Sequence, residues 1–162
     1  MVAALENRAS IEQDSAVPLR YSTAWQTTEF SIADARTAVR MLLLQAGHRP
    51  DAQPCLDAQL VVSELVTNAL RHAPGPGSLA LEVSPAADLL EITVRDGSPN
   101  PPRPQALDAG RIGGHGLLLV IRLCEQLHTR TLASGKQIIA RLSLGSAAAA
   151  TDGDDDDPTT MR

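Results

Sequence analysis

Five residues, Ala73-Pro74-Gly75-Pro76-Gly77, divide this chain more sharply than any other feature of it. Over residues 54–72, before them, apolar side chains recur at intervals of three and four, the period of a helix that buries one face. Beyond them, residues 79–83 and 89–94 alternate apolar with polar about a turn at 84–88, the period of an antiparallel hairpin. Proline and glycine at that density end a helix outright. A chain that changes period within a few residues is neither all-helical nor all-strand.

The remaining segments follow from the same signals. Residues 21–30 carry Thr and aromatic side chains at strand-like spacing, and Ser31 stands where it would cap a helix through Ala35, Val39, Leu42 and Leu43 that stops at Gly47 and Pro50. Residues 96–114 form a Pro- and Gly-rich loop, longer than a mere connection requires. Gly116 opens a third helix through Leu119, Val120, Leu123 and Leu127, and a second hairpin follows, with strands at 129–132 and 138–144 and a turn at 133–136. This order predicts an α+β fold, a two-layer sandwich with three main helices on one face of a mostly antiparallel sheet. Apolar residues make up 43% of the chain but aromatics only 2%, so the core must be built from Leu, Val, Ile and Ala.

Residues 1–18 are polar and aperiodic, and residues 146–162 are rich in Ala, Asp and Thr, so both read as disordered arms around a domain at 19–145. The arms hold most of the formal net charge of −5: Asp152, Asp154, Asp155, Asp156 and Asp157 against Arg162 at one end, Glu6, Glu12 and Asp14 against Arg8 at the other. What lies between is close to neutral and has no basic cluster, which speaks against nucleic-acid binding. No apolar run approaches the roughly 20 residues of a membrane span. The first residues lack the apolar centre of a signal peptide, so the cytoplasm is the expected location. Cys55 and Cys124 are too few and too far apart for a metal knuckle or a disulfide framework, and are expected to be reduced, packed thiols on helices.

Three short clusters carry chemistry. On the second helix, Glu64, Asn68 and His72 fall along one stripe, against an apolar arc of Val62, Leu65, Val66, Ala69 and Leu70. Leu60 and Val61 flank the stripe, so Glu64 sits at the edge of apolar surface, where a carboxylate needs a cation, a ligand or water. Just past a strand, Asp96 can accept a hydrogen bond from an exocyclic amine, and Gly97 lets a planar ligand approach the backbone. Ahead of the third helix, Gly110-Arg111-Ile112-Gly113-Gly114-His115-Gly116 frees backbone N–H groups to face an anion at a helix N-terminus. The stretch is not a Walker A loop, since no Lys-Ser or Lys-Thr follows the glycines, nor a Rossmann fingerprint, since no strand directly precedes it. Singly, each cluster has a plainer reading: a solvent-facing helix side, a turn, a flexible loop.

In this order and spacing the clusters resemble the N, G1 and G2 boxes of the GHKL superfamily, the ATPases and kinases with the Bergerat nucleotide-binding fold. SELVTNALRHA (63–73), VRDGSPNPP (94–102) and GGHGLLLV (113–120) are similar to the small anti-sigma-factor serine kinases of the RsbW and SpoIIAB type, among them many actinobacterial regulators. The resemblance covers about residues 19–144. It implies ATP and Mg²⁺ as ligands: Asn68 would coordinate the Mg²⁺, Glu64 would act as general base or position a water, and Asp96 would recognise the adenine amino group beside Gly97. Gly113, Gly114 and Gly116 would hold the phosphates, with Arg111 and His115 as cationic helpers. The activity so implied is that of an ATP-dependent protein serine/threonine kinase that phosphorylates a STAS-type anti-sigma-factor antagonist and sequesters a sigma factor or similar regulator. A catalytically silent ATP-binding switch would use the same residues. Relatives often form homodimers. This chain departs from the pattern at His115, where relatives commonly carry Arg, and at Gln137, which follows Lys136 of the last turn and stands where relatives offer a Thr near the adenine.

Overall fold

The computed structural model describes residues 17–27, 29–100 and 115–146. Their elements run β1 (Leu19–Trp25), α1 (Ile32–Gln45), α2 (Gln53–His72), β2 (Gly77–Val83), β3 (Leu89–Asp96), α3 (Gly116–Leu123), β4 (Gln126–Leu132) and β5 (Gly135–Ser143). The strands form one antiparallel sheet in the order β1-β2-β3-β5-β4. Helices α1 and α2 pack together and against this sheet, and α3 packs on α2, so the expected α+β sandwich forms. The expected arms at both ends lie outside the described residues, apart from 17–18 and Ser146. Among the described residues no helix is long and apolar enough to cross a membrane.

The helix boundaries have local causes. Ser31 Oγ accepts from Ala33 N at 3.1 Å, satisfying one of the donors left free in the first turn of α1. Its far end closes on Gly47, whose φ of 86° few side chains tolerate, with Gly47 N donating to Leu44 O and His48 N to Leu43 O. Pro54 lies in the first turn of α2, where its missing N–H is no loss, and α2 stops where the Pro-Gly run begins. His48 Nε2 lies 2.6 Å from Ala87 O, which ties the α1–α2 connection to the β2–β3 turn, at the sheet end remote from Asp96.

Register sorts the sheet's side chains into rows. On the helix face, Tyr21, Leu81, Ile92, Ala140 and Leu127 lie side by side, and Thr23, Leu79, Val94, Ile138 and Thr129 form the next row. Val39 and Leu43 of α1 and Val61, Val62, Leu65 and Val66 of α2 are fully buried with the apolar members of these rows. Each such burial is worth about 1.5–3 kcal/mol, and the core is aliphatic as the composition requires. The aromatic exception is Trp25, stacked on Phe30 at 4.7 Å and lying over Gly77, where a Cβ would overlap its ring. The last row on this face runs Trp25, Gly77, Asp96, Lys136, Thr131, so apolar packing gives way to an acid and a base at the sheet's tip. On the opposite face, Arg20, Glu82, Glu91, Arg141 and Gln126 form a polar row, with Arg20 Nε 2.7 Å from Glu82 Oε2 and Arg141 Nε 2.8 Å from Glu91 Oε2.

Several boundaries differ from those expected. β1 stops at Trp25 rather than continuing to Phe30, because Phe30 turns back to stack on the indole. α3 ends at Leu123; Leu127 does not extend it but lies on β4, which begins at Gln126 rather than Thr129. Cys124 is accordingly an extended C-cap and not a helical residue, whereas Cys55 is buried in α2. Both are free thiols. The last turn is only Ala133-Ser134, and Lys136 belongs to β5.

Candidate functional site

The helical period of α2 sets Glu64 and Asn68 one turn apart on a half-buried flank, next to the buried stripe of Val61, Leu65 and Ala69. Opposite Glu64 lies Gly116, the first residue of α3. A Cβ built on Gly116 would overlap the Glu64 carboxylate, so only glycine lets that carboxylate rest against the opening turn of α3. The helix dipole favours negative charge there. Among the described residues neither Glu64 nor Asn68 has a side-chain hydrogen bond or an ion pair, which leaves the carboxylate and the amide oxygen available. Nor do three His, Cys, Asp or Glu side chains gather among the described residues. A divalent cation at Asn68 would therefore draw most of its oxygens from a ligand and water, the habit of Mg²⁺ on phosphates. His115 is exposed at the N-cap position of α3 and its side chain makes no cap hydrogen bond. Arg111, Gly113 and Gly114 lie outside the described residues. His72 is exposed in the last turn of α2 beside Arg71, where cations complement the helix C-terminus.

At the sheet's tip, Asp96 ends β3 with 3% of its side chain exposed. Its Oδ1 accepts from Ser98 N at 2.9 Å, an Asx turn that holds the carboxylate in place, and from Lys136 Nζ at 2.9 Å. Lys136 is directly across on β5, with 6% of its side chain exposed. Gly135, at φ 112°, lets β5 close on β3 here, since a Cβ would run into the Asp96 carbonyl oxygen. Among the described residues, nothing lies within 4 Å of where a Cβ on Gly97 would stand.

This corrects the expectation for Gln137. Neighbours on a strand point to opposite faces, so Gln137 lies on the outer face of the sheet, accepting from Arg95 Nε at 2.9 Å, while Lys136 shares the inner face with Asp96. The sequence places Lys136 in a turn beside the site; the structure places it on β5, paired with Asp96. Its signal was strand parity: counting in twos from the buried Ile138 reaches Lys136. An open groove of about 700 Å³ between β1 and α1, lined by Tyr21, Phe30 and Met41 among others, contains none of the candidate residues.

The structure thus brings Glu64 to Gly116, and Asp96 to Lys136. The first pairing offers an oxygen-rich corner at a helix N-terminus, suited to a cation and an anion held together. The second offers a buried acceptor and donor, suited to the polar edge of a flat ligand. A search of curated proteins finds no significant match to the chain. Residues 13–142 of the 162 match the histidine kinase-like ATPase domain, a match that spans all the elements described except the end of β5, and the chain belongs to that family.

Proposed function

We propose that this ATP-binding domain is a serine/threonine protein kinase that transfers the γ-phosphoryl group of ATP to a STAS-type anti-sigma-factor antagonist and, in its ATP-bound state, holds a sigma factor or similar regulator. The observation that carries the reading is the contact of Glu64 with Gly116, a carboxylate without a side-chain partner among the described residues at the mouth of a glycine-opened helix. ATP, when bound with Mg²⁺, supplies the phosphoryl group and an already neutralised phosphate chain. Asn68 would hold the metal through its amide oxygen. The backbone N–H groups at Gly113, Gly114 and Gly116 would hold phosphate oxygens, with Arg111 and His115 adding positive charge. Asp96 would accept from the base. Glu64 would accept the proton of the incoming serine hydroxyl, which adds about 10²–10⁴ to the rate when the base is well placed.

The test is transfer of labelled phosphate from ATP to a STAS-type antagonist by the wild type and Glu64→Ala, with ATP affinity measured alongside. Transfer by the wild type that Glu64→Ala abolishes, at preserved affinity, supports the kinase. ATP-dependent partner binding without any transfer would instead make the protein a nucleotide-gated binding switch.

A further inference from the structure

Along the chain the arginines form no cluster, but the sheet brings two of them together. On its outer face the row nearest the tip runs Ala24, Ser78, Arg95, Gln137, Arg130, so β3 and β4 set an arginine on either side of Gln137 of β5. Two strand spacings put the arginine backbones about 10 Å apart. Gln137 is buried and both arginines are exposed. Arg95 Nε donates to Gln137 Oε1 at 2.9 Å, which fixes that guanidinium and leaves its two terminal nitrogens to take a carboxylate side by side. The strand carboxylates on this face, Glu82 and Glu91, already answer Arg20 and Arg141. Among the described residues neither Arg95 nor Arg130 meets an acid, so this end of the face carries two uncompensated positive charges.

We propose that the chain's own acidic segment at 152–157 folds back over the outer face of the sheet and pairs with Arg95 and Arg130. Charge is the first argument. Asp152 and the unbroken run Asp154 to Asp157 meet no basic residue before Arg162, and four successive aspartates present carboxylates to both arginines in any alignment. Length is the second. The chain leaves β5 at Ser143, on the strand that carries Gln137, and the way back along that strand is about 20 Å. The residues from Gly145 to Asp154 span up to about 30 Å when extended. Gly145, at φ 68°, turns the chain out of the strand direction where β5 has just ended. One exposed ion pair is weak and screened by salt, but a tethered segment meets its site at an effective concentration of about a millimolar. Docked and released segments therefore exchange, with salt setting the balance, and an acidic partner reaches the arginines only by displacing the tail.

Backbone amide resonances of the full chain test this in the wild type, in a variant with the five tail aspartates changed to Asn, and in Arg95→Gln/Arg130→Gln. A control, Arg36→Gln/Arg40→Gln, removes the same charge from exposed positions on α1, on the other side of the sheet. The amides of residues 154–157 are expected to shift in Arg95→Gln/Arg130→Gln and to stay in place in the control, and those of Gln137 and Arg130 to shift in the five-Asn variant. Tail amides that match the wild type in Arg95→Gln/Arg130→Gln, or that move as far in the control, overturn the proposal. A salt titration of the wild type needs no variant to fold. Going from about 0.01 M to about 1 M salt shortens the screening length from about 30 to about 3 Å, so the Gln137 and Arg130 resonances should move, and their failure to do so overturns the proposal. An external acidic partner is the rival occupant. Added hexa-aspartate peptide should move these resonances further in the five-Asn variant than in the wild type, whereas an equal response assigns the face to an outside partner and overturns the proposal.

Discussion

The two ends of the site differ in how far their polar groups are already committed. At the sheet's tip, Asp96 is held by Ser98 N and Lys136, β5 closes against it at Gly135, and both charges are buried. Along α2, Glu64 and Asn68 are half-buried with no side-chain partner among the described residues, and Glu64 faces a helix of eight residues with no side-chain cap. The tip is preorganised, so it can discriminate among ligands before any arrives. The α2 corner is incomplete, and its groups gain their partners only when charge is brought to them. In the proposed function, recognition belongs to the rigid end and chemistry to the unfinished one.

Substitutions should separate the two ends by what they damage. The largest effect falls on rate: Glu64→Ala is expected to lower phosphotransfer by about 10²–10⁴ while leaving urea stability almost unchanged. Next comes stability at the tip. Lys136→Met strands a buried carboxylate and is expected to lose about 3–5 kcal/mol in urea unfolding, whereas Asn68→Ala stays within about 0.5 kcal/mol. Equal losses in the two variants would erase the distinction drawn above. Gly116→Ala is a finer probe. Alanine suits a helix as well as glycine, so stability should shift by less than about 1 kcal/mol, yet its methyl displaces Glu64 and transfer should fall about 100-fold. The smallest effect concerns Cys124, at the end of α3, whose thiol is pushed up to about 11 by burial. Its folded value is above its unfolded one, so the stability it lends is full below the ordinary thiol range and is lost as pH rises towards 11. At pH 8 its alkylation should be slow in the folded protein, and fast alkylation there would show that α3 opens readily.

What could be read from the residues alone depended on whether the cause was local. The cap at Ser31, the stop at Gly47 and the Pro-Gly break after His72 are properties of adjacent residues, and the helices they bound are where the sequence places them. The end of α3 has no such mark. Leu123 and Leu127 continue a helical interval and neither Gly nor Pro intervenes, so the helix reads on through residues that the sheet claims for β4, where Leu127 completes a core row beside Ala140. The site divides the same way. Glu64 and Asn68 are made candidates by their spacing on one helix, and Asp96-Gly97 by its place after a strand, because the glycine cluster follows them in the order of a known family. The union of Asp96 with Lys136 joins residues forty apart in sequence, and the glycine before the lysine suggested a turn when its purpose is the close approach of two strands.

The charged row on the outer face bears on how the sheet assembles. Glu82 and Glu91 are direct neighbours of like sign, each neutralised from its other side, by Arg20 on β1 and Arg141 on β5. A slip of one residue between any two strands would swing these charges inward among the leucines and valines beneath α2. Misaligned pairings are thereby made far less stable than the correct one, so the order in which the hairpins form matters little. Whichever comes first, its neighbours can join it in one alignment only, and the acid and base at the tip arrive opposite each other as a result.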